Sequence, residues 1–454
     1  MKDSDTICAI ATGMGQSAIG IIRISGEDAI EKADKIFRGK RRLSELQSFT
    51  ASFGGIYDGD KKLDEVIALV MRGPHTYTTE DTVELDCHGG PLVMKRVTEL
   101  LIREGIRPAE PGEFTKRAFL GGRIDMTEAE AVMDVISAEN DMALASSLEQ
   151  LSGSLREKTV SLRDRILHET AFIESAIDDP ENYSLDGYSE KLDDIIEGLS
   201  KEIETLISTS DEGRIIREGI RTAIVGRPNV GKSSIMNMLT GTDRAIVTDI
   251  EGTTRDTLEE YINLGGITLK LIDTAGIRDT EDVVEKIGVD RAIESMEAAD
   301  LIMLVLDSSE SLTDNDRELI SRLRDKRYIV LINKSDLAQK LDTAELGELQ
   351  NVLYISAKSG QGLDEIRETI REMFFKNEID FNNQLYITNA RHKAALVRAA
   401  ESLGRVRESI GAGVGEDFYT IDMMAAYESL GEIIGETLED DLADKIFKDF
   451  CMGK

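Results

Sequence analysis

Residues 226–234 read Gly226-Arg227-Pro228-Asn229-Val230-Gly231-Lys232-Ser233-Ser234, and they decide the fold. A strand-like run, Arg221 to Val225, leads into this stretch and the helix-compatible Ile235 to Leu239 leads out of it. Strand, glycine-rich turn and helix in that order predict a P-loop. Successive backbone N–H groups of such a turn surround phosphate oxygens, and the helix N-terminus adds positive partial charge. Lys232 then reaches the β- and γ-phosphates and the Ser233 hydroxyl ligates Mg²⁺. Asn229, Val230, Gly231, Lys232, Ser233 and Ser234 are therefore candidate nucleotide-binding residues.

The flanking sequence agrees. Between residues 218 and 379, strand-like runs alternate with helix-like runs, as a doubly wound sheet requires. The expected strands are Leu269 to Ile272, Leu301 to Leu306, Tyr328 to Ile332 and Val352 to Ile355. Three of them are followed by polar motifs, at the carboxyl edge where ligands bind in such sheets. Asp273-Thr274-Ala275-Gly276 supplies a carboxylate for Mg²⁺ and a glycine N–H for the γ-phosphate. Asn333-Lys334-Ser335-Asp336 and Ser356-Ala357-Lys358 follow the next two. The Asp336 carboxylate can accept from the N1–H and exocyclic amine of guanine, a pair that adenine does not offer. Four motifs in order predict a GTPase. The residue after Gly276 is Ile277, where a Ras-like enzyme places the glutamine that orients water, so catalytic help is expected from elsewhere. Gly252-Thr253-Thr254-Arg255-Asp256 reads as switch I, with Thr254 able to ligate Mg²⁺. Thr248, Asp249, Ile250 and Glu251 precede it as a loop over the phosphates.

Composition limits the alternatives. The chain of 454 residues carries 54 Lys and Arg against 87 Asp and Glu, a net charge of −33. That excludes a general nucleic-acid coat and an anionic-membrane binder. Three widely spaced cysteines, Cys8, Cys87 and Cys451, fit neither a disulfide scaffold nor a zinc cluster. With no long apolar run, no membrane insertion is expected, and the location expected is cytoplasmic.

From Thr6 to about Arg117, short apolar runs (Ile7 to Ala11, Ile19 to Ile24, Ala51 to Ile56, Glu65 to Met71, Thr82 to Cys87) alternate with glycine turns, and Pro91 to Arg103 reads as a helix. These predict an α+β domain over 1–121. Gly13 and Gly15 precede no helix and read as a strand connection. Arg23 and Glu80, taken alone, read as solvated surface. Residues 122–217 recur at three and four, with Asp178 to Tyr188 as the break between two helices, and hold 9 basic and 23 acidic residues. Helices are expected again over Asn389 to Ile410 and Ile421 to Phe450 within 380–454, which holds 8 basic and 14 acidic residues. Helical segments on both sides of an αβ unit suggest one bundle with the unit at 218–379 inserted. The expected fold is thus multidomain α/β: an α+β N-terminal domain, a helical bundle, and an inserted Ras-like P-loop GTPase domain.

The whole chain resembles the MnmE (TrmE) family of tRNA-modification GTPases. The likeness rests on the GTPase motifs, on Gly20-Ile21-Ile22-Arg23-Ile24-Ser25-Gly26, His88-Gly89-Gly90, Pro111-Gly112-Glu113-Phe114-Thr115 and Ala118-Phe119-Leu120, and on the ending Cys451-Met452-Gly453-Lys454. The family's usual ending is Cys-Ile-Gly-Lys, so Met452 departs from it. The resemblance implies K⁺ beside the phosphates, held by the Asn229 side chain and backbone oxygens of Thr248, Ile250 and Thr253. It also implies G domains that dimerise across it and Glu285 as the carboxylate that orients water. It further implies a folate-binding N-terminal domain that forms a homodimer and takes 5-formyltetrahydrofolate or a related one-carbon folate. Arg23, Glu80, Arg123 and Lys454 fall on the folate-contacting positions, Arg123 replacing a lysine of some relatives. Cys451 is a candidate nucleophile, although nothing beside it in sequence identifies a base. An FAD-dependent partner, MnmG, is implied in a heterotetramer or larger complex. The joint product on tRNA is an aminomethyl or carboxymethylaminomethyl group at C5 of the wobble uridine, position 34.

Two other classes compete. An Era-like ribosome-assembly switch would be expected to carry a basic RNA-binding domain, whereas the helical segments here are acidic. A stand-alone folate-dependent methyltransferase would have no use for a G domain.

Overall fold

The computed structural model describes residues 5–241, 260–272, 285–347, 349–375, 385–436, 445–448, 450 and 453. The chain divides into two compact units, one made of residues 1–133, 150–172 and 423–454, the other of residues 134–149 and 173–422.

The first unit is built on a seven-stranded sheet. Its strands are β1 (Ile7–Ile10), β2 (Ile19–Ser25), β3 (Phe37–Gly39), β4 (Thr50–Asp58), β5 (Lys61–Met71), β6 (Thr82–His88) and β7 (Arg107–Pro108), in the order β3-β4-β5-β6-β2-β1-β7. Period-two alternation sends Val66, Ala68 and Val70 of β5 to the buried side. The helices Ala29–Ile36 and Pro91–Arg103 pack on that side through Ile30, Ala33 and Ile36 and through Met94, Val97, Leu100 and Leu101. Gly13 and Gly15 lie in the connection between β1 and β2, which pair antiparallel, as their lack of a following helix suggests. The helix Glu113–Leu120 follows Gly112, whose φ of +69° and position against the Phe447 backbone admit no side chain. Phe447 and Phe450 bury against Met126 and Ala129, which ties the end of the chain to the start of the helical segment.

Two expectations need correcting here. The helix expected over Ile421 to Phe450 starts earlier and is interrupted: it runs Asp417–Ile434, Gly435 takes φ +91° and sits against the Phe119 ring, and residues 445–448 are helical again. The short helices Ala29–Ile36 and Glu113–Leu120 were not expected.

The second unit holds a six-stranded sheet of β8 (Ile220–Val225), β9 (Glu260–Leu264), β10 (Ile267–Leu271), β11 (Leu301–Asp307), β12 (Tyr328–Asn333) and β13 (Val352–Tyr354). The order β13-β12-β11-β8-β10-β9 is parallel except for β9, which pairs antiparallel with β10. Every residue of β11 is buried, as a central strand covered on both faces requires. Helical chain from both sides of the sheet packs within this unit: Arg407 of the helix Ala390–Gly411 reaches Asp193 at 2.8 Å and Glu197 at 3.3 Å on the helix Tyr188–Ser208. The helix Ser154–Asp178 ends, and Tyr188–Ser208 begins, at the break read from the sequence. Among the described residues no helix is long and apolar enough to cross a membrane.

Candidate active site

The P-loop joins β8 to the helix Lys232–Thr240. Its shape depends on three left-handed residues, Gly226 at φ +147°, Asn229 at φ +65° and Gly231 at φ +102°. A Cβ on Gly226 would overlap the Val305 carbonyl, and one on Gly231 would overlap the Asn333 amide. Only glycine lets the turn lie so close to β11 and β12. Lys232 bends back over the loop, where its Nζ donates to the carbonyls of Gly226 and Arg227 at 2.8 Å each. Burial lowers its pKa. Ser233 and Ser234 are exposed on the first turn of the helix, where hydroxyl oxygens suit a hard cation.

Both downstream motifs meet this loop. Asn333 donates through Nδ2 to the Val230 carbonyl at 2.9 Å and accepts at Oδ1 from the Ala357 N–H at 3.1 Å. One buried amide thus clamps the P-loop to the Ser356-Ala357-Lys358 turn. Lys334 Nζ donates to the Asn229 carbonyl at 3.0 Å. Asp336 is exposed, and its Oδ1 accepts from the buried Ser356 hydroxyl at 2.8 Å. The P-loop, the Asn333-to-Asp336 loop and the Ser356 turn therefore gather at the carboxyl edge of β8, β12 and β13, as the motif order suggests.

A second cluster lies in the first unit. Arg23 on β2 pairs with Glu84 of β6 at 2.8 Å, and its guanidinium lies 5.6 Å from the Tyr77 ring centroid. Arg123 approaches the same ring at 4.8 Å and donates to the Tyr77 carbonyl at 3.1 Å. Glu80 accepts from Ser25 at 2.8 Å and from Arg117 at 3.0 and 3.1 Å. The reading of Arg23 and Glu80 as solvated surface is overturned, because their side chains are 19% and 25% exposed and each is ion-paired. The partners come from distant stretches that local sequence does not reveal. A cavity of about 590 Å³ opens beside Tyr77, lined also by Phe49, Met71, His75, Thr79 and Arg123. The Gly453 carbonyl lies 3.5 Å from an Arg23 nitrogen, and Gly453 itself packs on Ile10 and Ala11. Gly453 thus returns to this cluster.

Comparison with known proteins settles the family. A family model described as the MnmE helical domain matches residues 126–451, and one described as GTP-binding protein TrmE N-terminus matches residues 6–123. The chain is 52% identical to the tRNA modification GTPase MnmE of Lachnoclostridium phytofermentans, covering 99% of this chain and 100% of that protein. The chain belongs to the MnmE family. Members from Streptococcus thermophilus (47% identical, 100% of this chain and 99% of that one) and Bacillus cereus (46%, 99% of each) carry the same description.

The remaining MnmE positions divide simply. Thr248, Asp249, Ile250, Glu251, Gly252, Thr253, Thr254, Asp273, Thr274, Ala275, Gly276, Cys451 and Lys454 lie outside the described residues. Glu285 opens the helix Glu285–Ala298, and its side chain lies outside what is described. Three residues that shape the two clusters went unnoticed in the sequence. Arg117 is 7% exposed and also bonds Asp5 and Glu113. Asp307 ends β11 and meets Lys334 at 2.5 Å. Arg227, inside the P-loop, lies 2.8 Å from the fully buried Asp316. Only Asp307 left a trace, as a carboxylate closing an otherwise apolar strand.

Proposed function

We propose that this chain hydrolyses GTP in the service of tRNA modification, working on the wobble uridine with an FAD-dependent partner, MnmG. The supporting observation is the convergence of Asn333, Lys334, Asp336 and Ser356 on the P-loop. The Asp336 carboxylate reads the N1–H and exocyclic amine of guanine, and Ser356 fixes the direction it faces. Lys232 turns from the Gly226 and Arg227 carbonyls to the β- and γ-phosphates, whose charge favours its ammonium form and offsets the effect of burial. Backbone N–H groups of Val230 to Ser234 complete the phosphate cradle.

Two cations fit the donors of the loop. Mg²⁺ is assigned to Ser233 and Thr254, which would hold it where it would neutralise charge on the phosphate oxygens. K⁺ is assigned to the exposed Asn229 and to Thr248, Ile250 and Thr253, which would hold it where it would supply the positive charge that an arginine finger supplies elsewhere. Glu285 orients the attacking water. Two G domains facing each other complete the site, so the reaction is one of a homodimer. Asp249, Glu251, Gly252, Asp273, Thr274, Ala275, Gly276 and Lys358 belong to the same nucleotide set.

In the first unit, the cleft beside Tyr77 fits a flat heterocycle with an anionic tail. Arg23, Glu80, Arg123 and Lys454 are assigned to a 5-formyltetrahydrofolate-type ligand, which carries the one-carbon unit. Glu80 meets pterin N–H donors, and the arginines meet carboxylates. Cys451 is assigned to the same site. The transfer yields an aminomethyl or carboxymethylaminomethyl group at C5 of uridine 34. The domains proposed are 1–121 for folate and dimerisation, 122–217 and 380–454 for the helical domain, and 218–379 for GTP, in a cytoplasmic protein.

GTP turnover measured in K⁺ and in Na⁺, with protein concentrated enough to dimerise, tests the reading. Turnover several-fold faster in K⁺, on the order of the cation's share of transition-state charge, is expected. Equal rates remove the cation from the mechanism.

A further inference from the structure

Asn229 holds φ +65°, a conformation unusual outside glycine, and Lys334 holds φ +61°. Such backbones persist only where neighbours hold them. Lys334 Nζ holds the first by donating to the Asn229 carbonyl at 3.0 Å. The same ammonium meets Asp307 Oδ2 at 2.5 Å, a charge-assisted bond. Asp307 is in turn fixed through its other oxygen, which accepts from the Ser309 N–H at 2.8 Å and the Ser309 hydroxyl at 2.7 Å. Ser308 donates to the Lys334 carbonyl at 2.8 Å, so backbone and side chain of Lys334 are anchored to one short turn after β11. At 3% exposure, Asp307 meets its partners within the protein.

We propose that Asp307 is a positioning residue for guanine nucleotides: it holds the Lys334 ammonium, and through it the Asn229 carbonyl, so that the base-recognition loop and the P-loop keep one fixed relation. This rests on the GTP-binding reading above. Asp307 belongs to none of the sequence motifs and need not touch the nucleotide to act. Neutralising it leaves Lys334 with one weaker acceptor and frees a left-handed Asn229 from its restraint. The cradle must then be ordered at the expense of nucleotide binding. GTP and GDP share this part of the cradle, so both weaken alike.

The test is titration of the full-length chain with fluorescent GDP and GTP analogues, followed by steady-state hydrolysis. Asp307→Asn is expected to raise both dissociation constants by about tenfold, the loss of one charge-assisted bond. Stoichiometry should stay constant, and KM should rise while kcat stays within about twofold. Asp307→Glu, which keeps the charge, is expected to recover part of the loss. In a Lys334→Ala background the Asp307→Asn change should cost nothing further, because its effect passes through Lys334. Unchanged affinity in Asp307→Asn overturns the proposal. So does an undiminished cost in the Lys334→Ala background, or a fall in stoichiometry at constant affinity, the mark of lost folded protein. A wild-type chain that binds no guanine nucleotide overturns the GTP reading itself, and this inference with it.

Discussion

Ser356 donates its buried hydroxyl to Oδ1 of Asp336 at 2.8 Å. A carboxylate on an exposed loop would otherwise sample several directions. The hydroxyl leaves one oxygen and one edge for a base, and that edge matches two adjacent donors. Guanine presents such donors; adenine presents a donor and an acceptor.

Asp336→Asn should therefore exchange the nucleotide preference. Xanthine carries a carbonyl where guanine carries its amine, and the asparagine amide can donate to it. Binding competition should show GTP weakened by about 10²-fold or more while XTP gains. Ser356→Ala removes only the orienting bond and should cost GTP about tenfold or less.

Arg117 is expected to govern folate affinity without touching the ligand. Its guanidinium bonds both oxygens of Glu80 and one of Glu113, so it fixes Glu80 in register with Arg23 and Tyr77. Arg117→Ala takes a partner from three carboxylates, Asp5, Glu80 and Glu113, and should destabilise the first unit by about 3–5 kcal/mol. Arg117→Lys keeps the charge but not the fork. It should retain the fold, read as an unshifted melting transition, while folate affinity measured by calorimetry falls about tenfold.

Phosphate binding should depend on pH through Lys232. Burial lowers the pKa of its amine, and bound phosphates require the ammonium form. As pH rises through the lowered value, binding must take up a proton, so GTP affinity falls, by at most about tenfold per pH unit. Calorimetry in buffers of different ionisation heat should show proton uptake on binding that grows as pH is raised above neutrality.

Asp300 supplies acid-labile stability. Burial alone would raise its pKa, but bonds from Arg221 at 2.9 and 3.0 Å and from Arg214 at 3.1 Å outweigh this and bring it to about 2. With the folded value below the unfolded one, the contribution is full above about pH 4 and is lost as pH falls toward 2. Asp300→Asn should cost about 2 kcal/mol near neutral pH, and the gap between variant and wild type in melting experiments should close below about pH 4.

Much of this could be read from the sequence because the candidate nucleotide site is made of local units. Gly226 to Ser234 encodes a turn in its own residues, and the strands before Asn333 and Ser356 end where their motifs begin. What escaped was decided at a distance. Arg23 and Glu80 look like surface until Glu84 and Arg117 arrive from elsewhere in the chain. Asp307 looks like the polar end of a strand until Lys334 reaches it across 27 residues. The apolar spacing Leu438, Leu442 and Ile446 continues one helix on paper, whereas the chain leaves the helix at Gly435, whose φ of +91° and closeness to Phe119 admit no side chain, and residues 445–448 are helical again. The short helix Ala29–Ile36 offers only Ile30, Ala33 and Ile36 as a stripe, too little periodicity to stand out.

The measurement that bears most directly on the central claim is mass analysis of the wobble nucleoside in tRNA from cells lacking this gene. The cells would be complemented with wild type or with Asp336→Asn. Loss of the C5-aminomethyl-type uridine on deletion, recovery with wild type and failure of Asp336→Asn to restore it are predicted. Wobble uridines that stay fully modified in the deletion strain would contradict the account.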